Sequence, residues 1–178
     1  MHYSNRSVSI GGVTVGIQQL MWAIEGIRDA FHQAVYTDRD LDAALAALTD
    51  RCALEHVPAG TGGRGRDDVA RHLAEDVLPH LPTDLTFRRV SRTTDKFRVV
   101  EETTVGFTFD RPLPWLLPGV APTGRHAEVL AITVATFRHS RIDASRTRSL
   151  IDGHRTLWDH AGLAAQLGVE AAPATAAR

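Results

Sequence analysis

A chain of 178 residues with 43% apolar residues suits one globular domain around a single core. Its formal net charge of −1 excludes the basic footprint of a nucleic-acid binder, and no apolar run nears the roughly 20 residues that cross a bilayer. The lone cysteine, Cys52, excludes an internal disulfide framework; together with the lack of a signal-peptide core in 1–16 it points to the cytoplasm.

Residues 1–16 read as an N-terminal arm. Ser7-Val8-Ser9-Ile10 and Val13-Thr14-Val15 alternate around Gly11-Gly12, which suits a small hairpin or a loose terminus. From Ile17 the period changes: Ile17, Leu20, Met21, Ile24, Ile27 and Phe31 recur at helical spacing and predict a helix over 17–35. Thr37 or Asp38 can cap a second helix with Leu41, Ala44, Leu45 and Leu48 on one face. A short strand over 51–57 ends in Glu55-His56. Residues 58–65, with their glycines and Pro58, read as a loop; Thr61-Gly62-Gly63-Arg64-Gly65-Arg66 lacks the lysine of a phosphate-binding loop. Val69, Ala70, Leu73 and Val77 mark a third helix, stopped by Pro79.

The second half is strands. Segments 85–91 and 96–109 alternate, with Thr93-Thr94-Asp95 as the turn between them. In the second, Phe97, Val99, Glu101, Thr103, Val105, Phe107 and Phe109 share the more apolar face, so Glu101 is expected inside and Glu102 outside. A buried carboxylate has its pKa raised and becomes a candidate acid or base; the competing reading places it at the wet end of the sheet or pairs it with an arginine. The β-branched 129–137 predicts a central strand, 138–148 a long polar hairpin loop, and 149–158 the returning strand. Asp159 is placed to cap a final helix that Gly168 stops. The alanine-rich 170–178 reads as a disordered tail, leaving 17–169 as the folded domain. Helices followed by antiparallel strands make an α+β fold.

Candidate chemistry lies in scattered residues. His56 titrates near neutrality and suits proton transfer. Glu101 and Asp159 complete a catalytic set, while Glu102, Trp115 and Trp158 are placed as substrate contacts, the indoles to stack a flat molecule. The bland readings are a surface histidine, a helix cap and core tryptophans. The nine histidines show no HxxxH spacing and no CxxC occurs, so neither a metal nor a cofactor is expected.

Three stretches resemble one family. Trp115-Leu116-Leu117-Pro118-Gly119-Val120-Ala121-Pro122-Thr123-Gly124-Arg125 is similar to the loop before the penultimate strand in SnoaL-like (polyketide cyclase-like) proteins of the nuclear transport factor 2-like superfamily. Trp158-Asp159-His160-Ala161 with Gln166-Leu167-Gly168 resembles that family's close, and Gly65-Arg66-Asp67-Asp68-Val69 the start of its third helix. The resemblance spans about 17–169. It implies a cone: a strongly bent antiparallel sheet wrapped around N-terminal helices, with a pocket at the open end and a homodimer through the convex face. It also implies cofactor-independent acid–base chemistry (cyclisation, isomerisation or epoxide opening) on a small, mostly apolar, polyketide- or terpenoid-like molecule. The alternative is a binding or assembly module on the same fold, because fold does not fix function. Two departures stand out. Thr156 is near the place of the cyclases' catalytic aspartate, and Phe109 stands where related chains often carry histidine.

Overall fold

The structure, a computed structural model, describes residues 8–10, 13–142 and 147–170. Strands Val8–Ile10 (β1) and Val13–Val15 (β2) pair antiparallel, as the hairpin reading expected; the connecting Gly11 and Gly12 lie outside the described residues. So does the tail from 171 onward.

Helix α1 (Ile17–Gln33) buries a stripe of Ile24, Arg28 and Phe31, spaced one and two turns apart. Burying Ile24 and Phe31 contributes about 1.5–3 kcal/mol each; Arg28 between them needs a counter-ion. A wide turn over Ala34–Asp38 follows, and Thr37 and Asp38, the expected caps, lie within it. The cap is Asp40, whose carboxylate accepts from the Ala43 N–H at 3.0 Å and starts α2 (Leu41–Ala46). Leu48, expected on that helix, is instead the first buried residue of strand β3 (Leu48–His56).

The expected loop over 58–65 contains an edge strand, β4 (Thr61–Arg64), antiparallel to β3. Its glycines allow backbone to lie on backbone. A Cβ on Gly62 would sit 1.9 Å from the Leu54 carbonyl oxygen, and one on Gly63 2.6 Å from the Asp68 carbonyl carbon. That close approach seats α3 (Arg66–His72) on β4. The helix then runs through a wide turn (Leu73–Val77) into a tight one (Leu78–His80) at Pro79.

Four long strands follow: β5 (Thr86–Thr94), β6 (Arg98–Thr108), β7 (His126–Arg141) and β8 (Thr147–Trp158). The six-stranded sheet is curved and open, in the order β4-β3-β8-β7-β6-β5. Every pairing is antiparallel except β3 with β8, which joins the early strand alongside the last and runs parallel. Register shifts in β5 at Arg89/Ser91 and between β7 and β8 at Thr136/Phe137 place bulges where the sheet bends. The polar stretch 138–148 is not a loop from its start. β7 and β8 stay paired out to Arg141 with Thr147, a protruding ladder whose faces are largely solvated, and polarity there reflects exposure.

One face of the sheet is the core side. Along β7, Ala127, Val129, Ala131, Thr133, Ala135 and Phe137 are buried in strict alternation. The segment after β6 folds Leu113, Trp115, Leu116 and Leu117 under the sheet's open end. Helix α4 (His160–Leu167) closes the chain: Asp159 caps it by accepting from the Gly162 N–H at 2.9 Å, and Gly168 ends it at φ 69°. The Gln166 side chain bonds both backbone groups of Glu128 at 3.0 Å, which clamps α4 to β7.

Candidate functional site

Three strands each give three successive inward residues to one pocket: Thr103, Val105 and Phe107 from β6, Val129, Ala131 and Thr133 from β7, and His154, Thr156 and Trp158 from β8. Arg28 and His32 of α1, with Tyr36 from the wide turn, form its opposite side. Phe87, Trp115 and Leu116 complete it. The lining is mostly apolar, and the cavity is narrow at about 40 Å³, room for a few waters by the ~10–15 Å³ each requires. His32, Tyr36 and Phe87 rings pack within 4.5–4.9 Å of one another along one side.

The polar atoms of this lining are unusual. Among the described residues, five buried side-chain nitrogens lack a hydrogen-bond partner, and four of them belong to pocket residues: Arg28 Nε, Trp115 Nε1, Trp158 Nε1 and His154 Nδ1. Each such group costs about 1–3 kcal/mol. Buried polar groups are ordinarily paired, so four such nitrogens on residues of one lining leave it open to a polar partner, water included.

Burial sets the titration of the lining. It pushes His154 down to about 3, and the Arg28 charge and His32 add to the effect. It pushes His32 down to about 4, again helped by Arg28. Tyr36 is pushed up to about 12 by burial. At neutral pH the pocket therefore holds two neutral imidazoles, a neutral phenol and the Arg28 cation, whose pKa burial lowers while Glu101 opposes the shift.

Glu101 lies inside and Glu102 outside, as the unbroken period of β6 predicted. Glu102 accepts from Ser91 Oγ at 2.7 Å on the outer face. Glu101, 3% exposed, is the hub of an ion cluster: Arg28 at 2.6 Å, Arg89 Nε at 2.9 Å and Arg92 Nε at 2.7 Å all reach its carboxylate, and Thr103 donates to it at 3.2 Å. Asp29 pairs with Arg92 and Arg89 beside it. Three guanidinium groups against two carboxylates leave one positive charge under the pocket floor. Of the readings of Glu101, burial rules out the wet end of the sheet and the geometry is that of the arginine pair.

His56 is buried, but behind the pocket: its ring lies 5.3 Å from that of Trp115 and 6.3 Å from that of Trp158. Its other side meets an outer groove. Burial first, then His72 and His154, hold its pKa well below the ordinary value. Asp159 is exposed at the head of α4, engaged as its cap. The structure thus brings Trp115 and Trp158 into one lining and keeps Glu101, His56 and Asp159 in three separate places.

Sequence reasoning passed over Arg28, His32, Tyr36 and His154. Two signals were present: Arg28 interrupts the apolar stripe of α1 at a core position, and His154 shares its strand face with Trp158 four residues on. Among the described residues no group of three or more His, Cys, Asp or Glu is arranged to hold a metal, and no helix is long and apolar enough to cross a membrane.

The profile of the SnoaL-like domain matches residues 27–144. The chain belongs to the SnoaL-like family. No curated protein sequence matches it, but solved structures do. A putative SnoaL-like polyketide cyclase from Jannaschia sp. CCS1 is 16% identical with a TM-score of 0.59, covering 83% of this chain and 92% of that one. IdmH, a putative polyketide cyclase from Streptomyces antibioticus, is 20% identical at 0.54, covering 82% and 98%. An NTF2-like protein from Burkholderia xenovorans LB400 is 16% identical at 0.57, covering 83% and 97%. At these identities the likeness is one of fold: this SnoaL-like chain has the nuclear transport factor 2-like architecture.

Proposed function

We propose that this SnoaL-like protein is a cytoplasmic, cofactor-independent enzyme that performs acid–base chemistry on a small, mostly apolar, oxygen-bearing molecule of polyketide or terpenoid type. One observation carries the reading: four residues that line one apolar pocket each carry a buried nitrogen without a hydrogen-bond partner. The Trp115 and Trp158 indoles and Arg28 Nε are donors, suited to oxygens on which negative charge grows during cyclisation, isomerisation or epoxide opening. His154, neutral at pH 7, is the lining group through which a proton would pass: burial makes it a weak base and, once protonated, a strong acid. Glu101 serves by fixing Arg28 from behind.

A second reading, a binding module, is favoured by the absence of any carboxylate from the lining and by the weak basicity of its two histidines. A panel of aromatic polyketone probes separates the two by tryptophan quenching for binding and mass spectrometry for products. The enzyme reading expects product from the wild type and none from His154→Gln, with binding retained in both. Binding without product in the wild type would move the assignment to the module.

We further propose a homodimer through the outer sheet face, where Leu130, Ile132 and Leu157 stay exposed and Ile132 pairs in register with Leu157. Light scattering should give twice the 19.4 kDa chain mass, and Ile132→Glu should return the monomer.

A further inference from the structure

Behind the tryptophan wall lies a chain of groups that no part of the pocket chemistry above uses. His72 of α3 is 5% exposed and His56 of β3 is 2% exposed. His72 Nδ1 stands 2.8 Å from the Asp76 carboxylate, and its Nε2 3.4 Å from His56 Nδ1. Asp76 is 46% exposed at the outer groove, whose other charged members are Glu55, Arg64, Asp68, Arg71 and Glu75. The close approach at Gly63 is what sets α3 over β3 and β4 and so brings these rings together.

Two independent neighbours dictate the same tautomers. The Asp76 carboxylate only accepts, so His72 carries a proton on Nδ1 and, as the neutral ring the relay requires, presents a lone pair at Nε2. His56 must then be protonated at Nδ1 to donate to it. Thr61 gives its hydroxyl proton to the Trp115 carbonyl at 2.7 Å, so toward His56 Nδ1, 3.5 Å away, it too can only accept. Both contacts are long and both ask for Nδ1–H. His56 is therefore left with its lone pair on Nε2, on a ring packed against both pocket indoles.

We propose that Asp76 and His72 are positioning residues which fix His56 as the Nδ1–H tautomer, and that the three form a proton relay from His56 Nε2, behind the two indoles, to the outer groove. When an acid X–H gives its proton to His56 Nε2, the X–H bond breaks as the Nε2–H bond forms, the Nδ1 proton passes to His72 Nε2, and the His72 Nδ1 proton passes to the Asp76 carboxylate and on to water. Each step makes one bond to hydrogen and breaks one; no electrons change hands. The relay rests on the acid–base reading of the pocket for its use, but not for its geometry.

The test needs no substrate. In protein labelled with 15N-histidine, long-range 1H–15N spectra at pH 7 should show His56 with a pyrrole-type Nδ1 and a pyridine-type Nε2, and His72 the same. In Asp76→Ala, which removes an exposed side chain and leaves the circular dichroism unchanged, the two nitrogen positions of His72 should move toward exchange. Those of His56 should follow, although His56 does not touch residue 76. His72→Gln should release His56 from the fixed form while Asp76 stays in place. A wild-type His56 protonated at Nε2, or His56 resonances unmoved in Asp76→Ala, would overturn the relay whatever the pocket turns out to catalyse. Failure of turnover with these spectra intact would count against the enzyme reading alone.

Discussion

Two polar clusters meet at Arg28, one running from the buried Glu101 out to the half-exposed Asp29 and Arg89, and they are built on opposite terms. Beneath the pocket floor, Glu101, Arg92, Arg89 and Asp29 close on one another with every carboxylate held by at least two arginines. In the pocket itself, Arg28 Nε, both indoles and His154 Nδ1 hold nothing. The carboxylates of the first cluster are fully engaged by arginines, which suits them to structure. An unsaturated one costs free energy in the empty protein that a ligand can recover. Arg28 belongs to both, so the closed cluster aims the open one.

The sharpest way to break this contrast is to open the closed cluster. Glu101→Gln leaves Arg28, 6% exposed at the side chain, without its main counter-charge and removes one of the two carboxylates that hold Arg92. Removing one partner of a buried pair costs about 3–5 kcal/mol, so urea unfolding should show a loss of that size. Glu102→Gln on the outer face should stay within about 0.5 kcal/mol. Equal, small effects from both would mean that Glu101 is no hub.

Acid sharpens the other side of the comparison. His154 titrates near 6.5 unfolded and is held to about 3 when folded. Between those limits the unfolded chain binds the extra proton, so stability is full above pH 6.5 and falls as pH drops through the window. Taking about 1.4 kcal/mol per unit, this histidine contributes a loss of about 2 kcal/mol on going from pH 7.5 to pH 5. His154→Gln should flatten the profile by about that amount in paired urea titrations. An unchanged slope would place His154 in contact with water.

How far these clusters were readable from the sequence depended on whether a local period carried them. The α1 stripe and the Glu101/Glu102 assignment followed directly, since 3.6 and 2 are properties of the backbone and β6 runs unbroken against β7. The strand β4 did not, because its glycines are chosen for the approach of Leu54 and Asp68, residues distant or hidden in a local view. The polar end of the β7–β8 ladder read as loop because both its faces are wet. The partner choice of Glu101 among many arginines, and the joining of His154 to Trp115 in one lining, are products of the sheet's curvature, which no local pattern encodes.

A smaller effect separates an orphan donor from ordinary core. Trp158→Phe keeps most of the ring in the wall and deletes one unpartnered N–H. Stability should hold or rise, since an unpaired buried donor is a cost. Affinity for an oxygen-bearing probe should fall by roughly two- to tenfold, the worth of one neutral hydrogen bond of about 0.5–1.5 kcal/mol. A clear loss of stability together with unchanged probe binding would make Trp158 plain packing.

The smallest expected effect belongs to Asp159, which sequence reasoning offered both as a catalyst and as a cap. Its carboxylate accepts from the Gly162 N–H at 2.9 Å, one of the N–H groups a helix start leaves unpaired. It stands on the exposed side of the chain, outside the pocket lining. Asparagine offers the same carbonyl acceptor in the same place, so Asp159→Asn should cost a few tenths of a kcal/mol at most, whereas Asp159→Ala should cost about 1 kcal/mol. Neither should alter probe binding, because α4 stays docked through the Gln166–Glu128 clamp and the buried Leu163 and Leu167. Thermal melts of the two variants read the difference between them. A drop of two to four powers of ten in turnover for Asp159→Asn at unchanged melting temperature would restore it as an acid–base group, and with it a route from α4 into the pocket that the present geometry does not contain.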